Sequence, residues 1–254
     1  MEESRRRVAV VGDDDRADLL REAVRDTGAR LVAATDTTAD ADATLTVGED
    51  ATRVALCNAP TGAVIPVGTQ RLAFGVHEAA DNIVRLFEAL ESSVDGIGRI
   101  THPVLTVDSG TASVHRAAAD VALITEEPAR ISEFAVRFAR SDGESFRADG
   151  VVVATPFGSD GYANASGGPI VEPGCGLSVV PIAPFRTRTD AWVAAERVTL
   201  SVERETEPVA LVVDGVTRET VDPARPIEIT ATERVEALVP TAAAQPRARR
   251  SETL

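Results

Sequence analysis

The residues best equipped for chemistry are crowded between Asp149 and Gly174, in the run DGVVVATPFGSDGYANASGGPIVEPG. After three consecutive valines the chain breaks into Thr155, Pro156, Gly158, Ser159, Asp160, Gly161, Tyr162, Asn164, Ser166, Gly167, Gly168 and Pro169. Small residues at this density let a backbone approach a ligand without interference from Cβ atoms. The hydroxyls and the amide supply hydrogen bonds, and the phenol adds a stacking face. On composition alone, an ordinary surface loop is the better account of the stretch.

The segment TPFGSDGYANASGGPIV resembles the signature of the NAD kinase family, commonly TPTGSTAYSLSAGGPIV, at Thr155, Pro156, Gly158, Ser159, Tyr162 and the closing run Gly167 to Val171. The resemblance implies phosphoryl transfer from ATP or polyphosphate to the 2′-hydroxyl of NAD, with Mg²⁺ or another divalent cation. Gly48, Glu49, Asp50, Ala51 and Thr52 stand where the family has GGDGT. There Asp50 is the expected catalytic residue, orienting or deprotonating the hydroxyl, with Gly48 and Thr52 beside the donor. Read without the family, the same five residues serve as a strand-to-helix turn. Arg71 matches within VGTQRLAF, where the family has something like VNTGRLGF. Asp120, Asp149, Thr155, Ser159 and Tyr162 are the positions implied to hold NAD, and Arg130 follows Pro128 and Ala129 as in the family's Pro-Ala-Arg.

Several positions depart from the pattern. Glu49 and Ala51 replace glycines, Gly68 and Ala119 replace asparagines, and Phe185 stands in place of a histidine. At about 5 Å and an effective dielectric near 20, Glu49 would repel a phosphate by roughly 3 kcal/mol. That is about a hundredfold in affinity. These departures motivate an alternative reading, a catalytically weak or inactive NAD(P)-binding paralogue acting as a sensor or regulatory subunit. A lipid-kinase-like activity is disfavoured by the central signature.

The elements that must position these residues follow from hydrophobic period. Short apolar runs at Arg7 to Gly12, Leu31 to Ala34, Ala43 to Val47 and Ile65 to Val67 read as buried parallel strands. Helices are expected after Asp13 to Asp15, with Leu19, Leu20 and Val24 on one face, and over His77 to Leu90. The tract Asp36 to Asp42 reads as a solvated loop. No GxGxxG follows the first strand, so the usual dinucleotide fingerprint is missing. From Arg99 onward the period changes to two, with turns expected at Asp108 to Gly110, Glu126 to Pro128, Asp142 to Gly143 and Asp214-Gly215. The expected layout is an α/β domain with a Rossmann-like parallel sheet over residues 1–98 and a β-rich domain over 99–240. Residues 241–254 read as a disordered tail.

Composition narrows the classes. The 254 residues carry a formal net charge of -14 and no lysine, so P-loop, Schiff-base and lysine-dependent kinase mechanisms are excluded. The charge also argues against nucleic acid or an anionic membrane as partner, and together with few aromatics it suggests a protein adapted to high salt. Cys57 and Cys175 lack metal-site spacing, so no structural zinc is expected and a reducing cytoplasm is. The family resemblance further implies NAD as the partner and a homo-oligomer, dimer or tetramer.

Overall fold

The computed structural model describes residues 5–33, 41–111, 113–127, 131–185, 190–204, 207–223 and 225–241. In chain order the elements are β1 (Arg7–Val11), α1 (Asp15–Asp26), β2 (Arg30–Val32), β3 (Ala43–Val47), α2 (Glu49–Cys57), β4 (Ala63–Val67), α3 (Val76–Asp81), α4 (Ile83–Glu88) and β5 (Ile97–Asp108). Then come β6 (Val114–Ala117), β7 (Asp120–Thr125), β8 (Ser132–Phe138), β9 (Ser141–Ala148), β10 (Gly150–Ala154), α5 (Tyr162–Ala165) and β11 (Leu177–Ile182). The chain closes with β12 (Trp192–Ala194), β13 (Arg197–Arg204), β14 (Val209–Val213), β15 (Val216–Thr220) and β16 (Ile227–Pro240).

Two units emerge. The first takes Met1–Ala55, Pro60–Ile100 and Glu236–Leu254; the second takes Leu56–Ala59 and Thr101–Val235. In the first unit β2, β1, β3 and β4 lie side by side, all parallel, and Ala237 of β16 pairs with Val64. The strands β3 and β4 are buried along their whole length; β4 reads as a continuous apolar run, whereas β3 alternates buried Thr44 and Thr46 with Ala43, Leu45 and Val47. Val8, Val10, Leu20, Val24, Leu45, Ile65, Leu86 and Phe87 form the core, and Leu238 from the last strand joins them. Helix α1 starts on Asp14, whose carboxylate accepts the N–H groups of Arg16 and Ala17 at 3.0 and 3.2 Å. The single helix expected over His77 to Leu90 is instead two helices that break at Asn82. There the side-chain amide bonds Glu78 O at 2.9 Å, competing with the backbone ladder.

The second unit is antiparallel. One sheet runs β12-β11-β10-β7-β14-β15, and β16, β13, β8 and β9 pair in that order in another; β5 pairs with β6. Leu105, Leu123, Phe134, Val136, Val151, Val153, Leu177, Leu200 and Leu211 fill the principal core of this unit. The turn expected at Asp142 to Gly143 falls earlier, at Ala139 and Arg140, and residues 141–148 form a strand. Gly143 is needed not for a turn but for close approach, since a Cβ there would lie 2.1 Å from Val136 O, where the β8–β9 register shifts. Pro128 to Arg130, most of the tract from Asp36 and the tail from residue 242 lie outside the described residues.

Candidate functional site

In the second unit the site is built on β10, the strand between β11 and β7. Its five residues are fully buried, so the chain emerges from the sheet edge at Thr155 with a fixed direction. Thr155 N donates to Ala119 O at 2.8 Å and its hydroxyl to Ala118 O at 2.6 Å, which pins the loop to the segment before β7. Gly158 is there because nothing larger fits, as a Cβ would sit 2.3 Å from Ala119 O. Ser159 donates to Pro156 O at 3.0 Å and accepts from Val171 N at 3.0 Å, drawing the GGPIV run back across the loop. Gly168 packs where a Cβ would meet Val180 Cγ2 at 2.2 Å, under α5.

The hydroxyls of Thr155 and Ser159, expected to meet ligand, are fully buried and bond within the loop. The loop they close presents Asp160, Gly161 and Tyr162 outward, with Tyr162 40% exposed. Tyr162 opens α5, which lies over Ala122, Val152, Ala154, Val180 and Ile182 on one face of the sheet. Asp120 belongs to that face, because β7 sets it opposite Ala154. Partial burial raises the Tyr162 phenol above its ordinary range, and the negative charges of Asp149 and Asp120 raise it further. The phenol is thus kept protonated as a donor within the field of both carboxylates, Asp120 standing opposite the last residue of β10 and Asp149 preceding its first. Ala119, where the family has asparagine, is buried and contributes only its backbone. Phe185 is 66% exposed with the Arg147 guanidinium 5.4 Å from its ring centre, a cationic aromatic face in place of an imidazole.

Two residues hold this site from behind: Asp214, which sequence reasoning placed only in a hairpin turn, and His102, which it did not name. Asp214, in the hairpin turn, points its carboxylate at the N–H groups of Ala118, Ala119 and Asp120. His102 is buried beneath them, its Nε2–H donating to Ala118 O at 2.8 Å and its ring edge-on to Phe157 at 4.6 Å. The Asp-Gly dipeptide signalled the turn, but nothing in it signalled where the carboxylate goes.

In the first unit Gly48, Glu49, Asp50 and Ala51 line a cavity of about 890 Å³ together with residues 10–14, Arg16, Arg21, Arg25 and residues 31–33. It opens where β1 and β3 end, and the order β2-β1-β3-β4 makes that the switch point of the sheet, where open α/β folds bind ligands. Gly48 takes φ +90, a conformation glycine adopts freely, and helix α2 begins directly after it. Thr52 is buried, bonding Gly48 O at 2.9 Å and Thr46 Oγ1 at 2.8 Å, so its hydroxyl shapes the turn. Asp50 has a 95% exposed side chain that pairs with Arg53 at 3.2 Å, and Arg53 also holds Glu49 at 2.5 Å. Arg53 thus offsets the repulsion of phosphate that Glu49 alone would exert. Arg71 is partly buried in the 68–74 loop, whose ends are tied by Gly68 N to Phe74 O at 2.9 Å.

Comparison with known proteins converges on one family. Residues 118–241 match the family model of the ATP-NAD kinase C-terminal domain. An NAD kinase of Methanospirillum hungatei is 37% identical over 109 residues, covering 42% of this chain and 40% of that protein. A bifunctional NADP phosphatase/NAD kinase of Methanocaldococcus jannaschii is 30% identical over 166 residues, 63% of this chain and 29% of that one. The chain thus spans about two fifths or less of the length of these relatives. An NAD kinase from Archaeoglobus fulgidus, solved in complex with ATP, shares the fold with TM-score 0.71 at 24% identity, 93% of each chain being covered.

Proposed function

We propose that this chain, whose residues 118–241 match the family model of the ATP-NAD kinase C-terminal domain, is an NAD kinase that transfers a phosphoryl group from ATP or polyphosphate to the 2′-hydroxyl of NAD, giving NADP. The observation that carries this reading is the loop from Thr155 to Val171, whose hydroxyls are spent on its own shape and which leaves Tyr162 partly exposed. A neutral phenol, with Asp120 and Asp149 on the same sheet, supplies one donor and several acceptors, a set suited to the ribose hydroxyls and amides of a dinucleotide.

On this reading Asp50 aims the 2′-hydroxyl at the donor, and its exposed carboxylate is free to meet substrate once Arg53 swings aside. Gly48 and Thr52 fix the turn from which Asp50 projects, and Arg71 adds positive charge for the donor phosphates. Among the described residues no group of three or more His, Cys, Asp or Glu is arranged to hold a metal ion. Mg²⁺ needs no such cage, since it keeps several waters and is commonly held by one or two carboxylates plus substrate phosphates. Glu49 and Asp50 would provide those carboxylates, and the ion would spread the charge of the phosphoryl group in transit. The proposal extends to a salt-adapted, cytoplasmic homo-oligomer.

The test is direct. Purified protein in molar salt is incubated with Mg²⁺, NAD and either ATP or polyphosphate, and NADP is followed with an NADP-specific dehydrogenase. Turnover supports the proposal; tight NAD binding with no turnover from either donor contradicts it and leaves a binding protein.

A further inference from the structure

We infer that Asp214 is a positioning residue for NAD binding, acting through the backbone of residues 118–120; the inference rests on the kinase reading above. Asp214 sits in the two-residue turn between β14 and β15 with φ +48, followed by Gly215 at +77, the left-handed pair that a tight hairpin requires. Aspartate tolerates that conformation better than most residues, but the turn uses only its backbone. Its carboxylate does something else. Oδ2 accepts Ala118 N at 2.8 Å, while Oδ1 accepts Ala119 N at 2.8 Å and Asp120 N at 3.0 Å. Asp214 N in turn donates to Asp120 O at 2.9 Å, so both the backbone N–H and the carbonyl of Asp120 are held by Asp214. The Cys57 thiol approaches Oδ2 at 3.8 Å as a further donor.

The carbonyls of the same segment face the other way. Ala118 O receives the Thr155 hydroxyl and His102 Nε2, and Ala119 O receives Thr155 N. Residues 118–120 therefore form an adaptor: their N–H groups are fixed by Asp214, and their carbonyls fix the start of the signature loop. Through one carboxylate, Asp214 sets both the place of Asp120 and the loop that carries Tyr162. A charged acceptor of three amide hydrogens is stronger than neutral bonds and has no substitute nearby. Replacing Asp214 by asparagine preserves shape and turn preference but puts an NH₂ group against a backbone N–H.

Asp214→Asn is expected to raise the KM for NAD at least tenfold while the KM for the phosphoryl donor stays within twofold. Misplaced binding groups appear in KM, whereas simple loss of folded protein lowers the apparent kcat and leaves KM alone. Leu20→Ala, a core deletion in the first unit, calibrates that second behaviour and should lower Tm without moving either KM. Thr155→Ala cuts the adaptor from its other side, is expected to raise the NAD KM about threefold, and decides the matter if Asp214→Asn does not fold. If both variants turn over NAD with wild-type KM and only reduced kcat or Tm, Asp214 is merely structural and the inference is overturned while the kinase reading stands. Wild-type protein that neither binds nor phosphorylates NAD overturns the kinase reading itself.

Discussion

At the scale of single residues, three side chains make separable predictions. Asp50→Asn keeps size but removes the carboxylate proposed to aim the nucleophile. It should lower kcat at least a hundredfold, the range seen when a positioned proton acceptor is lost, with the NAD KM changed only a few-fold. His102 is held neutral because burial pushes its imidazole down to about 4 from an ordinary 6.5, the bond to Ala118 O opposing the shift and the charge of Arg234 adding to it. The unfolded chain therefore binds a proton that the folded chain refuses between those two values. The contribution is complete above pH 6.5 and is lost as pH falls towards 4, amounting to about 3 kcal/mol. Urea midpoints measured from pH 7 to 4.5 should fall in the wild type, and the fall should be blunted in His102→Gln. Cys57, raised to about 12 by burial and then by the Asp214 charge, holds almost no thiolate at pH 8. Cys175, exposed, should take up iodoacetamide while Cys57 stays unlabelled in the native protein, as peptide mass mapping would read.

At the scale of elements, the signature loop shows what a sequence can and cannot disclose. Its glycines and hydroxyls mark a stretch that closes into a loop with Tyr162 partly exposed at its outer side. The same composition misled about direction. A buried serine that closes a loop and an exposed serine that grips a ribose are the same letter, and only the hydrogen bonds of Ser159 to Pro156 and Val171 tell them apart. The strand-to-helix turn read at Gly48 to Thr52 is what the structure shows, with α2 beginning at Glu49. Asp142-Gly143 read as a turn because its close approach to Val136 O depends on a partner strand outside the local window. Parallel strands β1, β3 and β4 were legible because their buried positions are filled by Val, Ala, Leu, Ile and Pro, with only Thr44 and Thr46 polar among them. The loop account predicts that Gly158→Ala, placing a methyl 2.3 Å from Ala119 O, lifts Thr155 off its bonds. NAD affinity measured by calorimetry should drop at least tenfold; an unchanged affinity would mean the loop tolerates displacement.

At the scale of the whole molecule, charge dominates. A formal net charge of -14 with every base an arginine leaves a surplus of carboxylates whose mutual repulsion is screened only as the Debye length shrinks, to about 3 Å in molar salt. The proposed salt adaptation predicts a thermal midpoint that rises between 0.1 and 2 M KCl, read by circular dichroism; a flat response would remove salt adaptation from the proposal without touching the chemistry. Screening bears on the proposed function too, because on that reading the donor's phosphates would approach Glu49 and Asp50. Arg53 neutralises part of that field locally, and salt with Mg²⁺ reduces the rest. The most direct measurement of the central claim is the identity of the product after incubation with Mg²⁺, NAD and donor in 2 M KCl. The account predicts a new phosphate monoester by ³¹P NMR in a compound that an NADP-specific dehydrogenase reduces, and its absence with Asp50→Asn. Unchanged NAD in the wild-type reaction, with ATP and with polyphosphate alike, would contradict it.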